Sequence, residues 1–196
     1  GGYERGVVAA CSYEARKFGI HSAMPMKKAL QLCPGLVVTN ASRHDYSKYS
    51  RWVTDIIASK VPLFEKASID EFYIDASGMD RYFGAFTWAI ELRKKIIHES
   101  GLPISLGMSV NKLVSKVATG EFKPNAEEHI PAGTEKEFLA PLAVDKIPMI
   151  GKQTASFLYD MGVRKVETLR EMPLKFRVSA FGKNGTDKGV RPPENG

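Results

Sequence analysis

Two adjacent carboxylates, Asp70 and Glu71, interrupt a stretch of strand-forming apolar residues between positions 68 and 75. On a regular β-strand their side chains would point to opposite faces, and burial of an unpaired carboxylate is costly. At the corner of a hairpin, both carboxylates can turn toward one point. The pattern therefore predicts two strands, 63–68 and 72–74, joined at an acidic corner formed by Asp70 and Glu71.

Apolar periodicity along the rest of the chain predicts an α+β body followed by an all-helical module. Three- and four-residue apolar spacings predict helices over 13–18, 26–32, 46–61, 86–100 and 111–121. Short apolar runs predict further strands over 7–11, 36–39 and 104–108. The strand signal then fades, and the later segments predict helices over 134–139, 151–161, 165–172 and 174–181. We place the boundary in a loop over 123–133.

The positive charge of the chain is concentrated toward its C-terminal end. The sequence has 28 Lys and Arg against 22 Asp and Glu, a net charge of +6. Residues 146–191, the basic quarter, hold ten of the basic and four of the acidic residues, so the rest of the chain is neutral. This pattern favours an anionic partner such as a nucleic acid, with a lysine-rich solvated surface as an equal alternative.

Composition excludes several classes of protein. Apolar residues make up 43% of the chain and charged residues 26%, which is typical of globular proteins rather than disordered or fibrous ones. No apolar run approaches the roughly 20 residues of a membrane-spanning helix, and we expect neither a secretory signal nor membrane contact. Two cysteines and four scattered histidines form no disulfide framework or metal-ligand pair, so we expect a reduced, cytoplasmic setting.

The acidic corner is the strongest candidate for a catalytic or metal site. Two carboxylates at one point form a hard-oxygen site suited to Mg²⁺. Two such ions about 3.5–4 Å apart can hold the attacking and leaving oxygens of a phosphoryl transfer. The alternative is a solvent-exposed turn without a ligand. Asp75 is a weaker candidate because it can simply end the second strand.

Two pairs of helical residues are candidates for binding a polyphosphate. Tyr13 and Arg16 lie three residues apart and share a helix face, where they offer a hydroxyl and a bidentate guanidinium. Lys112 and Lys116 lie four residues apart on another helix, and either could supply a positive charge. Because such residues are common on protein surfaces, these pairs alone do not establish a site.

A tight apolar turn over 146–155 is typical of a helix-hairpin-helix. A glycine at the turn allows backbone N–H groups to approach a phosphate, and the following helix directs its positive N-terminus toward it. This hairpin, with Ile150, Gly151, Lys152 and Thr154 as candidate DNA-binding residues, would contact nucleic-acid backbone without distinguishing bases. The alternative is an ordinary connection between helices, but the hairpin coincides with the basic quarter.

Taken together and in this order, the motifs resemble those of the Y-family DNA polymerases, the translesion enzymes, and most closely their bacterial DNA polymerase IV-like branch. The resemblance is carried by residues 12–19, 68–71, 105–116 with Lys123-Pro124, and 147–155, and it extends to about Lys183. It implies a right-hand architecture. Residues 1–41 would be partial fingers, and residues 42–123 a palm with a mixed or antiparallel sheet. Residues 124–183 would be an all-helical thumb that contains the helix-hairpin-helix, and residues 184–196 a disordered tail.

The resemblance also implies roles for individual residues. Asp70 and Glu71 would be the catalytic residues that bind Mg²⁺, and Tyr13, Arg16 and Lys116 would hold the incoming triphosphate. The implied reaction is template-directed attack of a primer 3′-OH on a dNTP, with release of pyrophosphate. Primer–template DNA and a dNTP are therefore the expected partners.

The chain departs from the family pattern at several points. The family's first strand carries an Asp-x-Asp-x-Phe-Phe-like motif with a third metal carboxylate, whereas the first aspartate here is Asp45. We therefore expect a fragment without this strand, without the C-terminal little-finger domain and without the tail through which the family can contact a sliding clamp. We expect its activity to be weak or absent. Met149 stands where the hairpin usually has another glycine, and Ala10 where many relatives have threonine.

Two other functions are compatible with the sequence. The chain could be a non-catalytic module that binds DNA backbone through the hairpin, with an acidic corner that is only structural. It could also be another palm-fold enzyme such as a nucleotide cyclase, which uses paired acids and Mg²⁺. The hairpin and the pair formed by Tyr13 and Arg16 are hard to explain in a cyclase.

Overall fold

The computed structural model of the chain describes residues 6–39, 43–79 and 84–173. The chain forms two compact units, 1–48 and 49–196, and each has hydrophobic core residues of its own. Within the described residues, no helix is both long enough and apolar enough to cross a membrane.

The first unit contains two short helices, α1 (Tyr13–Arg16) and α2 (Met26–Leu32), close to their predicted positions. Helix α1 begins after Ser12, whose hydroxyl oxygen accepts a hydrogen bond from the backbone N–H of Ala15 at 3.2 Å. The core of this unit is small and consists of Val8, Ala15, Ile20, Met24 and Ala29.

Neither strand predicted in the first unit forms. Val7 makes only an isolated bridge with Pro25, and residues 8–11 and 36–39 have no regular structure. The hydrogen bonds that flank the bridge run from the Val8 N–H to the Met24 oxygen at 2.8 Å and from the Met26 N–H to the Gly6 oxygen at 2.9 Å. The pairing goes no further because α2 begins at Met26 and the backbone turns at Ala23, with φ 67°. The prediction of strands over 7–11 and 36–39 is therefore wrong, although Val8 and Leu36 contribute to the core as apolar residues.

In the second unit, the predicted hairpin packs on two long helices. The helices are α3 (Arg43–Ala58), which ends in this unit, and α4 (Ala85–Ser100). Between them in sequence lie strands β1 (Phe64–Lys66) and β2 (Phe72–Ile74), which pair antiparallel. Their shared core is formed by Val53, Ile56, Ile57, Val61, Leu92 and Ile96, with Phe64, Phe72 and Ile74 packed against it. Because side chains alternate along a strand, Glu65 and its cross-strand partner Tyr73 lie on the opposite face of the hairpin.

A second pair of strands is parallel and lies against helix α5. Strand β3 (Leu106–Met108) pairs with β4 (Glu127–His129), and α5 (Lys112–Phe122) connects them as a crossover. Asn111 caps α5 by accepting the backbone N–H of Val114 at 2.9 Å. The strands and α5 follow the predicted positions except for β4, which lies inside the segment predicted to be a loop.

The loop prediction over 123–133 is wrong because β4 is stabilised from outside its own sequence. Its residues, Glu-Glu-His, have no apolar alternation. The guanidinium of Arg93, on α4, pairs with Glu127 at 3.1 Å and donates to the backbone oxygen of Asn125 at 3.0 Å. These contacts hold the segment beside β3, where its backbone completes a ladder. Within the described residues, the predicted single sheet is instead two separate two-stranded sheets.

The rest of the described chain is helical, as predicted. It comprises α6 (Glu135–Leu139), a 3₁₀ turn (Val144–Lys146), α7 (Lys152–Asp160) and α8 (Val166–Glu171), with Val144, Leu158 and Val163 as a local core. The helix predicted over 174–181 and the tail over 184–196 lie outside the described residues. The α+β class is confirmed, whereas the division into fingers, palm and thumb stays a prediction.

Gly107 determines how closely β3 approaches α5. A Cβ added there would lie 2.6 Å from the Thr119 hydroxyl oxygen and 2.8 Å from the Thr119 backbone nitrogen, and it would also contact the Ser115 carbonyl oxygen. Gly107→Ala should therefore lower the free energy of unfolding by about 2–3 kcal/mol, because the strand must move away from the helix. Urea denaturation followed by circular dichroism measures this loss.

Gly120→Ala, on the exposed side of α5, is the matched control. A Cβ there meets no atom within 4 Å, so alanine should raise the free energy of unfolding by about 0.5–1 kcal/mol through its higher helix propensity. Equal effects of the two substitutions would contradict a close approach of β3 to α5.

Candidate active site

The acidic corner forms at the loop between β1 and β2. The backbone oxygen of Glu71 accepts hydrogen bonds from the N–H groups of Ala67 at 3.0 Å and Ser68 at 3.3 Å, which closes the loop. The Ser68 hydroxyl donates to Oδ1 of Asp70 at 2.7 Å and holds this exposed side chain against the turn. The corner therefore presents both carboxylates outside the apolar face of the hairpin.

Lys116 brings the two carboxylates into one electrostatic environment. Its ammonium donates to both oxygens of Glu71, at 2.9 Å and 2.8 Å, and both side chains are about two-fifths exposed, 40% for Lys116 and 39% for Glu71. The hydrogen bonds to Glu71 raise the pKa of Lys116 above its ordinary value, against the opposing effect of partial burial, and the negative charge of nearby Asp70 adds to the rise. Asp70, Glu71 and Lys116 thus lie together.

Lys112 lies one helical turn before Lys116 and makes a parallel contact with the same hairpin. Its ammonium pairs with Glu65 on β1 and lies 5.3 Å from the centre of the Tyr73 ring. Because Glu65 and Tyr73 are cross-strand partners, the ammonium covers the face of the hairpin that is turned away from the core. Both lysines considered as phosphate ligands are therefore paired with glutamates of the hairpin.

Tyr13 and Arg16 lie in the first compact unit and contact each other, as their spacing predicts. The Arg16 guanidinium lies 5.7 Å from the centre of the Tyr13 ring, and both side chains are exposed on α1. The pair therefore offers a hydroxyl and a guanidinium on one surface.

The hairpin over 146–155 differs from its prediction in two respects. Its first arm is a 3₁₀ turn rather than an α-helix, while the second arm, α7, begins at Lys152 as predicted. The residue in the left-handed region is Met149, with φ 77° and a side chain that is 87% exposed, whereas Gly151 has an ordinary φ of −74°. The conformational freedom of glycine is thus required at 149, where the sequence has methionine.

Lys146, at the start of the hairpin, is paired with α5. Its ammonium lies 2.8 Å from Glu121, and this hydrogen bond raises the pKa of Lys146 above its ordinary value despite partial burial. Neither Glu65 nor Glu121 is singled out by the sequence as a partner of a basic residue. The register of the hairpin places Glu65 on the face turned away from the core, but the pairing of Glu65 with Lys112 and that of Glu121 with Lys146 follow only from the packing of α5.

The carboxylates of the corner are suitable but incomplete as a metal site. Within the described residues, no group of three or more His, Cys, Asp and Glu side chains is placed to bind a metal ion. Asp70 and Glu71 offer the hard oxygens that Mg²⁺ prefers, and water or phosphate oxygens would have to complete its shell.

The family of the chain follows from its sequence match. Residues 1–120, more than half of the chain, match the model of the impB/mucB/samB family. The chain belongs to the impB/mucB/samB family. Its membership confirms the resemblance to the Y-family polymerases predicted from the motifs.

Similar members of the family are named DNA polymerases. DNA polymerase IV of Dehalococcoides mccartyi is 38% identical over 179 residues, which cover 91% of this chain and 46% of that protein. DNA polymerase IV 2 of Methanosarcina mazei is 37% identical over 186 residues, which cover 94% of this chain and 50% of that protein. The chain therefore spans about half the length of the curated relatives it matches.

Solved structures in the family share the fold. DinB from Sulfolobus solfataricus matches with a TM-score of 0.84 and 27% identity, over 91% of this chain and 53% of that chain. An insertion ternary complex of Dbh DNA polymerase matches with a TM-score of 0.82 and 28% identity, over 92% of this chain and 53% of that chain. These similarities confirm mixed helices and strands of the kind found in Y-family polymerases.

Met149 should be a strained residue. A side chain in the left-handed region costs about 1–2 kcal/mol, part of which glycine loses again through its greater freedom in the unfolded chain. We expect Met149→Gly to raise the free energy of unfolding by about 0.5–1 kcal/mol in urea denaturation.

Gly151→Ala is the control for the same turn. Its φ is negative and an added Cβ meets no atom within 4 Å, so alanine should leave the free energy of unfolding unchanged or slightly higher. If Met149→Gly has no effect while Gly151→Ala is destabilising, the left-handed position is at 151 instead.

Proposed function

We propose that this chain carries out template-directed, Mg²⁺-dependent nucleotidyl transfer, as part of a cytoplasmic polymerase that copies damaged DNA from primer–template and dNTP. This proposal is supported by the chain's similarity to relatives named DNA polymerase IV and DNA polymerase IV 2. The observation that carries it is local, because Asp70, Glu71 and the Lys116 ammonium lie together at the acidic corner. The two carboxylates would attract a divalent cation, and the ammonium would attract an anionic substrate.

Asp70 and Glu71 would hold the Mg²⁺ ions, since carboxylate oxygens are ligands that this ion prefers. When bound, Mg²⁺ would polarise the phosphoryl oxygens and increase the nucleophilicity of the primer hydroxyl. The Ser68 hydroxyl would keep Asp70 oriented through its 2.7 Å hydrogen bond. The hairpin thus supplies rigidity, because its opposite face is packed on the core of the second unit.

Tyr13, Arg16 and Lys116 would bind the triphosphate. The guanidinium of Arg16 can donate two parallel hydrogen bonds to phosphate oxygens, and the Tyr13 hydroxyl can donate one. Lys116 would add a point charge near the acidic corner. Their exposure supports this role, because a ligand can reach all three side chains.

The hairpin would follow the DNA backbone through Ile150, Gly151, Lys152 and Thr154. The backbone N–H groups at the start of the nine-residue α7 favour an anion, and Lys152 is exposed at this end. The position of the hairpin in the basic quarter supports contact with phosphates. On this proposal, residues 124–183 act as the thumb, 42–123 as the palm and 1–41 as fingers.

We further propose that the activity of this chain is weak. Asp70 and Glu71 supply only two carboxylates, and both oxygens of Glu71 are engaged by Lys116. The absence of a larger acidic group among the described residues also supports the rival proposal, a non-catalytic module that binds DNA backbone. Catalysis at the corner and binding at the hairpin can be tested separately.

Primer extension tests the acidic corner. With primer–template, dNTPs and Mg²⁺, we expect slow extension that falls at least about 100-fold in Asp70→Asn and in Glu71→Gln, because loss of charge stabilisation at a reacting phosphate has effects of this order. Glu65→Gln, on the same hairpin but outside the corner, should retain the activity. Extension that survives both corner substitutions would exclude the site, and no extension with intact DNA binding would favour the non-catalytic module.

Salt-dependent DNA binding tests the hairpin. Lys152→Ala should weaken binding to duplex DNA several-fold and reduce the slope of log K against log salt by about 1, as loss of one phosphate contact does. Lys146→Ala should have a smaller effect, because Lys146 is paired with Glu121. Equal losses in the two variants, measured by fluorescence anisotropy, would contradict this assignment.

A further inference from the structure

The ion pair between Lys116 and Glu71 uses both oxygens of a carboxylate assigned to metal binding. The ammonium lies 2.9 Å from one oxygen and 2.8 Å from the other. The ammonium uses one lone pair of each oxygen, and its charge repels a divalent cation that approaches the remaining lone pairs. Glu71 is therefore a weaker ligand for a divalent cation while Lys116 is paired with it.

We propose that Lys116 weakens the binding of divalent cations at Glu71 until a polyphosphate draws its ammonium away, so that the cation and the polyphosphate bind cooperatively. The proposal rests on the assignment of Glu71 and Lys116 to the proposed active site, and it adds a coupling between their two ligands. The Lys116 ammonium is the shared element, because it pairs either with Glu71 or with a phosphate.

The exposure of the pair makes such an exchange feasible. The Lys116 side chain is 40% exposed and that of Glu71 is 39% exposed, so a polyphosphate can reach the ammonium from solvent. Ion pairs that are open to water are weak, and a multiply charged polyphosphate can compete with a single carboxylate. By thermodynamic linkage, the polyphosphate raises the affinity for the cation by the same factor as the cation raises the affinity for the polyphosphate.

The neighbouring pair between Lys112 and Glu65 provides an internal comparison. Both lysines project from α5 one turn apart and both glutamates belong to the hairpin. Glu65, however, lies on strand β1 and not at the acidic corner. Removing either lysine takes one positive charge from this surface, but only removal of Lys116 leaves Glu71 without its ammonium.

Cation binding is the first test. In titrations of Mn²⁺ without nucleotide, followed by electron paramagnetic resonance of the free ion, Lys116→Met should bind about three- to tenfold more tightly than the unsubstituted chain. Lys112→Met should change the affinity less than twofold, and Lys116→Arg, which preserves the pair, should bind like the unsubstituted chain.

Polyphosphate binding is the reciprocal test. With inorganic tripolyphosphate and EDTA, so that no divalent cation is present, Glu71→Gln should bind about three- to tenfold more tightly than the unsubstituted chain. Asp70→Asn removes the adjacent negative charge without freeing Lys116, and it should give a clearly smaller gain.

The outcomes separate this proposal from the proposed function. If Glu71→Gln abolishes Mn²⁺ binding but Lys116→Met does not strengthen it, the coupling is wrong and the metal site stands. If neither Asp70→Asn nor Glu71→Gln alters Mn²⁺ binding, the metal site and the coupling are both wrong. Equal gains in Lys112→Met and Lys116→Met would also overturn the coupling, because they would reflect net charge alone.

Discussion

The close contact between α5 and β3 is the constraint on which the rest of the second unit depends. It exists because Gly107 has no side chain at the point where the strand meets the backbone of Ser115 and Thr119. With α5 fixed in this way, three of its charged residues reach partners elsewhere: Lys112 and Lys116 on the hairpin, and Glu121 at Lys146. One helix thereby connects the acidic corner to the start of the hairpin over 146–155.

Because its lysines are paired with glutamates, the proposed site does not have the strong positive charge of a basic patch. The lysines suggested by sequence as phosphate ligands are each matched by a glutamate, so the surface is locally balanced rather than strongly positive. Such exposed pairs add little stability, because water screens them and the side chains lose freedom. Their effect on binding can be larger, since an incoming phosphate or cation must replace a partner that is already present.

The sequence predicted the elements that depend on local signals. Helices α4, α5 and α7 have apolar periodicity and clear ends, and the hairpin of β1 and β2 follows from two acids within a strand-forming stretch. Strand β4 was missed because its stability comes from Arg93 and from pairing with β3, and neither is encoded in Glu-Glu-His. The strand predicted over 7–11 fails for a different reason: of its apolar residues only Val8 is buried, and the segment opposite it enters α2 at Met26.

The sequence by itself determined the family, the α+β class and the identity of the candidate residues, because motifs and periodicity are properties of local spacing. Only the tertiary structure decided that Lys116 binds Glu71 across 45 residues of chain and that Lys146 is paired with Glu121. It also decided that Met149, rather than Gly151, adopts the left-handed conformation of the turn. These features depend on which elements pack together, and side-chain pairing between distant segments leaves no periodic signal in the sequence.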